Sequence, residues 1–243
     1  MMDKLFADTL TVLRTAGVLT IDMQEAFVRD NVQNVFFSTE KTVLIQHKCG
    51  TAMLWTLDTE EAVRALSDLR SSGHIVFSCV CHGDKAVEAV KQVFPEFKID
   101  PPCCQYCRSS RSLIEFEQKH NIRPLTLDDA ETVHAHYALE PDIDHIRKTI
   151  SMGLMYGAEL DGKLAGFIGV HSDGSCGMLE VFPEFRRMGI GTELELYLQN
   201  EQLKKGFMPY GQVYTTNMAS IDMQTKIGLL VSDEHVTWTY VED

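Results

Sequence analysis

The sequence predicts an α/β (α+β) chain with a mixed, strongly bent sheet carrying helices on both faces, preceded by a smaller α/β domain. Three observations predict it. Apolar runs that alternate at period two recur along the chain, separated by amphipathic runs of helical period. One such passage leads from Met178-Leu179-Glu180-Val181-Phe182 to a run that places Ile190, Leu194, Tyr197 and Leu198 on one helical face, with Arg186-Arg187-Met188-Gly189-Ile190-Gly191 between them. A stretch from 108 to 121, rich in charge and serine, interrupts the pattern and divides residues 1–112 from residues 113–243.

The elements follow from local pattern. Residues 3 to about 30 carry helical spacing at Leu5, Leu10 and Leu13 and again at Met23, Ala26 and Phe27, and Thr42 to Asp58 reads as a hairpin turning at Cys49-Gly50. Thr59 before Glu60 and Glu61 caps a helix to Ser71, Ile75 to Val80 reads as a buried strand, and Asp84 to Phe94 as another helix that Pro101-Pro102 follows. The second part predicts a strand at 122–126, helices at 127–138 and 141–152, and strands at 154–160, 163–171 and 176–182. A helix at 189–204, a strand at 211–217, a helix at 218–227 and a final strand pair near 229–232 and 235–241 complete it.

Composition narrows the function. With 22 basic against 35 acidic residues, the net charge of −13 opposes a broad electrostatic grip on nucleic acid or an anionic membrane and suits a cationic acceptor, though it also serves plain solubility. The first residues lack the basic and apolar regions of a signal peptide, no run is long enough to span a membrane, and seven cysteines form no disulfide frame, so the expected compartment is the cytoplasm.

The glycine-rich turn has two readings. Glycines between a strand and a helix allow tight packing; they also clear the helix N-terminus so that its free N–H groups, backed by the helix dipole, can cradle a phosphate. Gly189 and Gly191 stand at those positions, and Thr192 adds a hydroxyl.

Over residues 122 to 241 the motif order resembles the GNAT N-acetyltransferase superfamily. Ile122-Arg123-Pro124-Leu125-Thr126-Leu127-Asp128-Asp129-Ala130 looks like its opening strand and helix cap, Gly157 to Gly169 like its central hairpin, and Leu179 to Arg186 like its approach to the R-x-x-G-x-G loop. Asn217-Met218-Ala219-Ser220 with Gln224, Lys226 and Gly228 is similar to the glycine N-acyltransferase-like branch, whose bacterial relatives carry a diverged GNAT-like amino-terminal half. The resemblance implies an acetyl-CoA-dependent N-acetyltransferase acting on a primary amine, with longer acyl or aryl donors, or a non-catalytic CoA sensor, as alternatives. It assigns the pyrophosphate to the loop of Arg186, Arg187, Met188, Gly189, Ile190, Gly191 and Thr192, the pantetheine arm to Val181, Phe182 and Asn217, and no metal. It leaves residues 1–112 to the acceptor side or to regulation, and admits a homodimer. Many members carry a tyrosine acid where Gln224 stands, and glutamine cannot donate a proton to the leaving thiolate.

Deprotonating the acceptor is the harder step. A lysine ammonium of pKa ~10.4 costs roughly 4 to 5 kcal/mol to neutralise at pH 7, and an α-amine about 1. Glu180, a carboxylate on an apolar strand, is the first candidate base; an outward strand residue or salt-bridge partner is its other reading. His171, before the turn Ser172-Asp173-Gly174, is the second, and Ser220 is a candidate hydrogen-bond donor to the thiolate. Cys79, Cys81 and His82 with Cys103, Cys104 and Cys107 have spacings that a zinc site could use or that buried free cysteines could equally show.

Overall fold

The computed structural model describes residues 2–139 and 142–242. The helices are α1 (Met2–Thr15), α2 (Ile21–Val28), α3 (Thr59–Ser71), α4 (Asp84–Val93), α5 (Ala130–His136), α6 (Ile143–Ser151), α7 (Ile190–Lys204) and α8 (Met218–Lys226). The strands are β1 (Val32–Ser38), β2 (Thr42–His47), β3 (Ala52–Thr56), β4 (Ser78–His82), β5 (Lys98–Ile99), β6 (Cys103–Cys107) and β7 (Asn121–Pro124), then β8 (Met155–Leu160), β9 (Lys163–Val170), β10 (Cys176–Val181), β11 (Tyr210–Tyr214), β12 (Leu230–Val231) and β13 (Val236–Tyr240). They form two compact units, Met1–Ser109 with Gln212–Asp243, and Ser110–Gly211.

The first unit is built on a mixed sheet in the order β1-β2-β3-β4-β13-β6-β11, with β3 and β4 parallel and β13 antiparallel to β4. One face packs Leu44, Leu54 and Cys81 under Leu66 of α3 and Val90 of α4; the other packs Ile45, Trp55 and Val80 under Leu13 of α1 and Met23 of α2. The second stretch of chain is fastened to the first by buried polar contacts. Trp238 donates to Gln212 (2.6 Å), Gln212 to Gln105 (2.8 Å), and Gln105 to the buried Asp22 (2.9 Å), whose carboxylate lies 2.8 Å from His82 Nε2.

The second unit holds the antiparallel sheet β10-β9-β8-β7. Alternation along its strands sends Ile168, Val170 and Cys176 toward Ile190, Leu194 and Leu198 of α7, and Phe167, Met178 and Phe182 toward Val133 of α5 and Ile146 of α6. Helices thus cover both faces of each sheet, the predicted fold class.

Several boundaries differ from local pattern. The strand expected at 75–80 is β4, whose ladder starts with Ser78 opposite Tyr240, just after Val241 N donates to Phe77 O at 2.9 Å; Ile75 and Phe77 stay 71% and 68% exposed. The cap of α3 is Asp58, whose side chain accepts from Glu61 N, rather than Thr59. The helix expected at 127–138 splits into a 3-10 turn at Leu127–Asp129 and α5, with Thr126 and Asp129 in a capping box. The helix expected at 141–152 is α6, capped by Asp142, and its predicted first residue lies outside the described ones. Strand β1 has too mixed a sequence to announce itself. Among the described residues no helix is long and apolar enough to cross a membrane.

Candidate active site

The centre of the second unit's site is the end of β10. Register shifts by one residue between Gly177 and Glu180, which stand opposite Gly169 and Phe167, so Met178 takes a positive φ of 50° in a bulge that re-aims the strand's last residues. Glu180 then faces the same side as its partner Phe167, and Phe182, two residues on, faces it too; the Phe167 and Phe182 rings meet edge to face at 6.1 Å. Phe182 N donates to Ala165 O at 3.0 Å. The antiparallel alternation therefore turns the backbone groups of Val181 away from β9, onto the open edge of the sheet. Val181 O accepts from Arg186 Nε at 2.9 Å, which leaves its N–H as the outward donor.

A 3-10 turn, Pro183–Phe185, carries the chain into the loop. Arg186 folds back, donating through Nη2 to Glu180 Oε1 at 2.9 Å, so one of the two loop arginines braces the strand and its candidate carboxylate. Arg187 adopts φ 68° and Gly189 φ 87°, a left-handed conformation that suits glycine, and nothing lies within 4 Å of where a Gly189 Cβ would be. Among the described residues no side chain caps α7 at Gly189. The N–H groups of Ile190, Gly191 and Thr192 begin the helix with no carbonyl a turn behind them. Glu193, the acid of that first turn, points inward: its carboxylate accepts from Lys119 N and His120 N at 2.8 Å each and lies 2.9 Å from His120 Nδ1.

His171 is elsewhere on the hairpin. It opens the turn between β9 and β10, its ring lying over Gly177, so the two candidate bases stand at opposite ends of β10. Asn217 and Ser220 lie in the first unit, where Asn217 Oδ1 caps α8 by accepting from Ser220 N at 3.2 Å. Gln224 of that helix is buried, and its side-chain oxygen has no hydrogen-bond partner. A residue that sequence reasoning passed over joins the Glu180 face: His136 at the end of α5, stacked on Phe182 with centroids 4.0 Å apart. The pair His134-x-His136 at a helix end was the local signal for it.

The cysteine group disperses. Cys79 and Cys81 are buried in β4, and a hydrogen bond between them, with burial, holds the Cys79 thiol well above its ordinary range. Burial pushes Cys103 up to about 12 and Cys107 up to about 11. His82 is taken by Leu54 O and Asp22. Among the described residues no three His, Cys, Asp or Glu side chains converge as metal ligands.

An open, glycine-started helix after a bulged edge strand, with helices on both faces of the sheet, defines the class of protein to look for. The acetyltransferase (GNAT) family model matches residues 119–229. The fold is shared along nearly the whole chain with solved structures of low identity. A Drosophila protein is 15% identical with a TM-score of 0.66, covering 100% of this chain and 97% of that one. A GCN5-related N-acetyltransferase from Kribbella flavida is 12% identical with a TM-score of 0.57, covering 94% and 95%. A GNAT-family acetyltransferase from Colwellia psychrerythraea is 11% identical with a TM-score of 0.54, covering 92% and 96%. No curated protein sequence matches the chain. The family-model match supports the GNAT superfamily, and the fold of these neighbours agrees with it.

Proposed function

We propose that this chain is an acyl-CoA-dependent N-acyltransferase, moving an acetyl group from acetyl-CoA to a primary amine of a small molecule, amino acid or peptide by direct attack. The observation that carries the reading is the uncapped start of α7 at Gly189, within the stretch that the GNAT family model matches. Donors from Met188 to Thr192, with Arg187, would receive the pyrophosphate, because an open helix N-terminus offers both N–H groups and the dipole's positive end to an anion. The outward N–H of Val181 would meet the pantetheine arm, with Phe182 packed behind it and Arg186 bracing the strand. Asn217 and Ser220 are assigned, through the resemblance, to the pantetheine amide and the departing thiolate, with no metal in the chemistry.

Glu180 is the carboxylate that meets the acceptor amine, drawing the ammonium in and assisting its deprotonation; His171 is the alternative. The glycine N-acyltransferase-like branch is supported by the segment from Asn217 to Gly228. Residues 1–112 would serve acceptor selection or regulation as a diverged half. In support, both halves run helix pair, three antiparallel strands counted from β1 or from β8, helix, strand, helix. The test is thiol release from acetyl-CoA across a panel of polyamines, amino acids and amino-acid amides. Glu180→Gln should lower kcat about ten- to a thousandfold with acetyl-CoA affinity near wild type. Full activity in that variant, with loss in His171→Gln, would move the role to His171.

A further inference from the structure

His136 is held in a way that prepares it for proton transfer. Its ring lies on Phe182 with the planes 24° apart, and its Nδ1 is 2.8 Å from the carbonyl of Thr132, one turn back on α5. A carbonyl oxygen can only accept, so Nδ1 carries a hydrogen and, in the neutral ring, Nε2 carries the lone pair. Stacking fixes the plane of the ring and the carbonyl fixes its tautomer, while the residue as a whole remains exposed to whatever approaches that face. Phe182, on which it rests, projects from the same side of the strand as Glu180, and Phe167, opposite Glu180 on β9, meets the Phe182 ring edge to face. Tyr137, the next residue, packs edge to face on Phe167 at 6.1 Å and anchors the helix end beneath the imidazole. The end of β10 thus carries on one face a carboxylate already paired with Arg186 and, stacked on Phe182 of that face, an imidazole with one committed nitrogen and one uncommitted by that bond.

Resting on the acyl-transfer reading above, we propose that His136 accepts the proton released as the C–N bond forms, with Glu180 drawing in the ammonium and assisting the earlier proton loss that frees the amine. The free amine's lone pair forms the C–N bond to the thioester carbonyl carbon, and the carbonyl pair moves to oxygen. The proton of the now cationic nitrogen passes to His136 Nε2. The oxyanion re-forms the carbonyl, the C–S bond breaks with its electron pair on sulfur, and the imidazolium returns the proton to the thiolate. Amine and thioester become amide and thiol with no proton gained or lost; an acceptor that arrives as ammonium first yields one proton to solvent.

Two variants test this with acetyl-CoA and the same amine panel. His136→Phe keeps a ring on Phe182 but has no lone pair, whereas His136→Ala opens a gap that free imidazole can enter. Both should lower kcat about a hundredfold or more, with the KM for acetyl-CoA within about twofold of wild type. Added imidazole should restore part of kcat in His136→Ala and none in His136→Phe, which a purely packing role would not produce. Wild-type kcat in His136→Phe, or a loss in His136→Ala that imidazole leaves untouched, overturns the proposal and spares the acyl-transfer reading. A wild-type protein that binds acetyl-CoA yet acylates nothing in the panel overturns both.

Discussion

The two units each contain a strand that turns into a helix, and the two turns are electrostatic opposites. At the end of β3, Asp58 adopts an extended conformation and its carboxylate accepts from Glu61 N at 3.2 Å, while Thr56 Oγ1 clamps the same residue, accepting from Asp58 N at 2.9 Å and donating to Asp58 O at 2.8 Å. Glu60 and Glu61 fill the first turn of α3. The positive end of that helix is answered by the chain's own carboxylates. At the end of β10 the cap is Gly189, the adjoining loop carries Arg186 and Arg187, and the acid in the first turn of α7 is drawn inward to His120 and the backbone of Lys119. That helix start is the one proposed above to receive an anion. At these two turns the difference follows the N-cap, aspartate at α3 and glycine at α7; α4 also starts at a glycine, Gly83, but there the chain answers with Asp84 in the first turn and with the Glu234 carboxylate, which lies where a Gly83 Cβ would be.

The comparison breaks most visibly at α7. Gly191→Trp should abolish the rise in Tm that acetyl-CoA induces, while calorimetric titration of the wild type should give one site per chain; two equivalent sites would mean that the turn at α3 also receives an anion. A smaller effect is expected at the closed turn. Asp58→Ala removes a helix cap and should lower stability by about 1 kcal/mol in urea unfolding, leaving acetyl-CoA binding unchanged. The smallest sharpens the role of carboxylates at such starts. Hydrogen bonds from Arg123 hold Asp129, which closes the capping box with Thr126, down to about 2 from an ordinary 3.8. A depressed folded value stabilises above the unfolded one and is lost as pH falls from about 4 to about 2. Solvent screening at this partly exposed site limits the effect to under about 1 kcal/mol. Asp129→Asn should flatten that part of the acid-stability curve, and an unchanged curve would remove the ion pair from the acid response.

The glycine-started turn from β10 into α7 was legible in the sequence because its signal is local: glycines, arginines and two clean periodicities within a few residues. Glu180 was legible for the same reason, as a charge on an apolar strand. A salt bridge was one of its readings, but Arg186 as the partner was not legible, since that depends on how the 3-10 turn at Pro183–Phe185 folds the loop back. His136 gains its setting from Phe182, a residue far along the chain that neither periodicity nor spacing connects to it. The apolar run at Ile75 to Val80 misled because hydrophobicity does not say where backbone pairing begins. Cys103 to Cys107, whose spacing a zinc site or buried free cysteines could show, form a strand whose neighbours come from residues 210–240. A boundary drawn at one point, such as 112, cannot express a unit assembled from two separate stretches.

That assembly sets an order of events during synthesis. Residues 110–211 are contiguous, so the second unit has everything it needs as soon as they emerge. The first unit, whose other stretch is residues 1–109, lacks β13, which fills the slot between β4 and β6, until residues 236–240 have been made. Meanwhile β4, with Cys79, Val80 and Cys81, has an unpaired edge, the kind of surface that recruits other chains. Closing it requires a contact between residues near 80 and residues near 238, among the most distant in sequence that the fold contains, and such contacts form slowly. Residues 1–109 precede the second unit in synthesis yet are completed after it, and a nascent or truncated chain that stops short of Val236 is the form most exposed to aggregation.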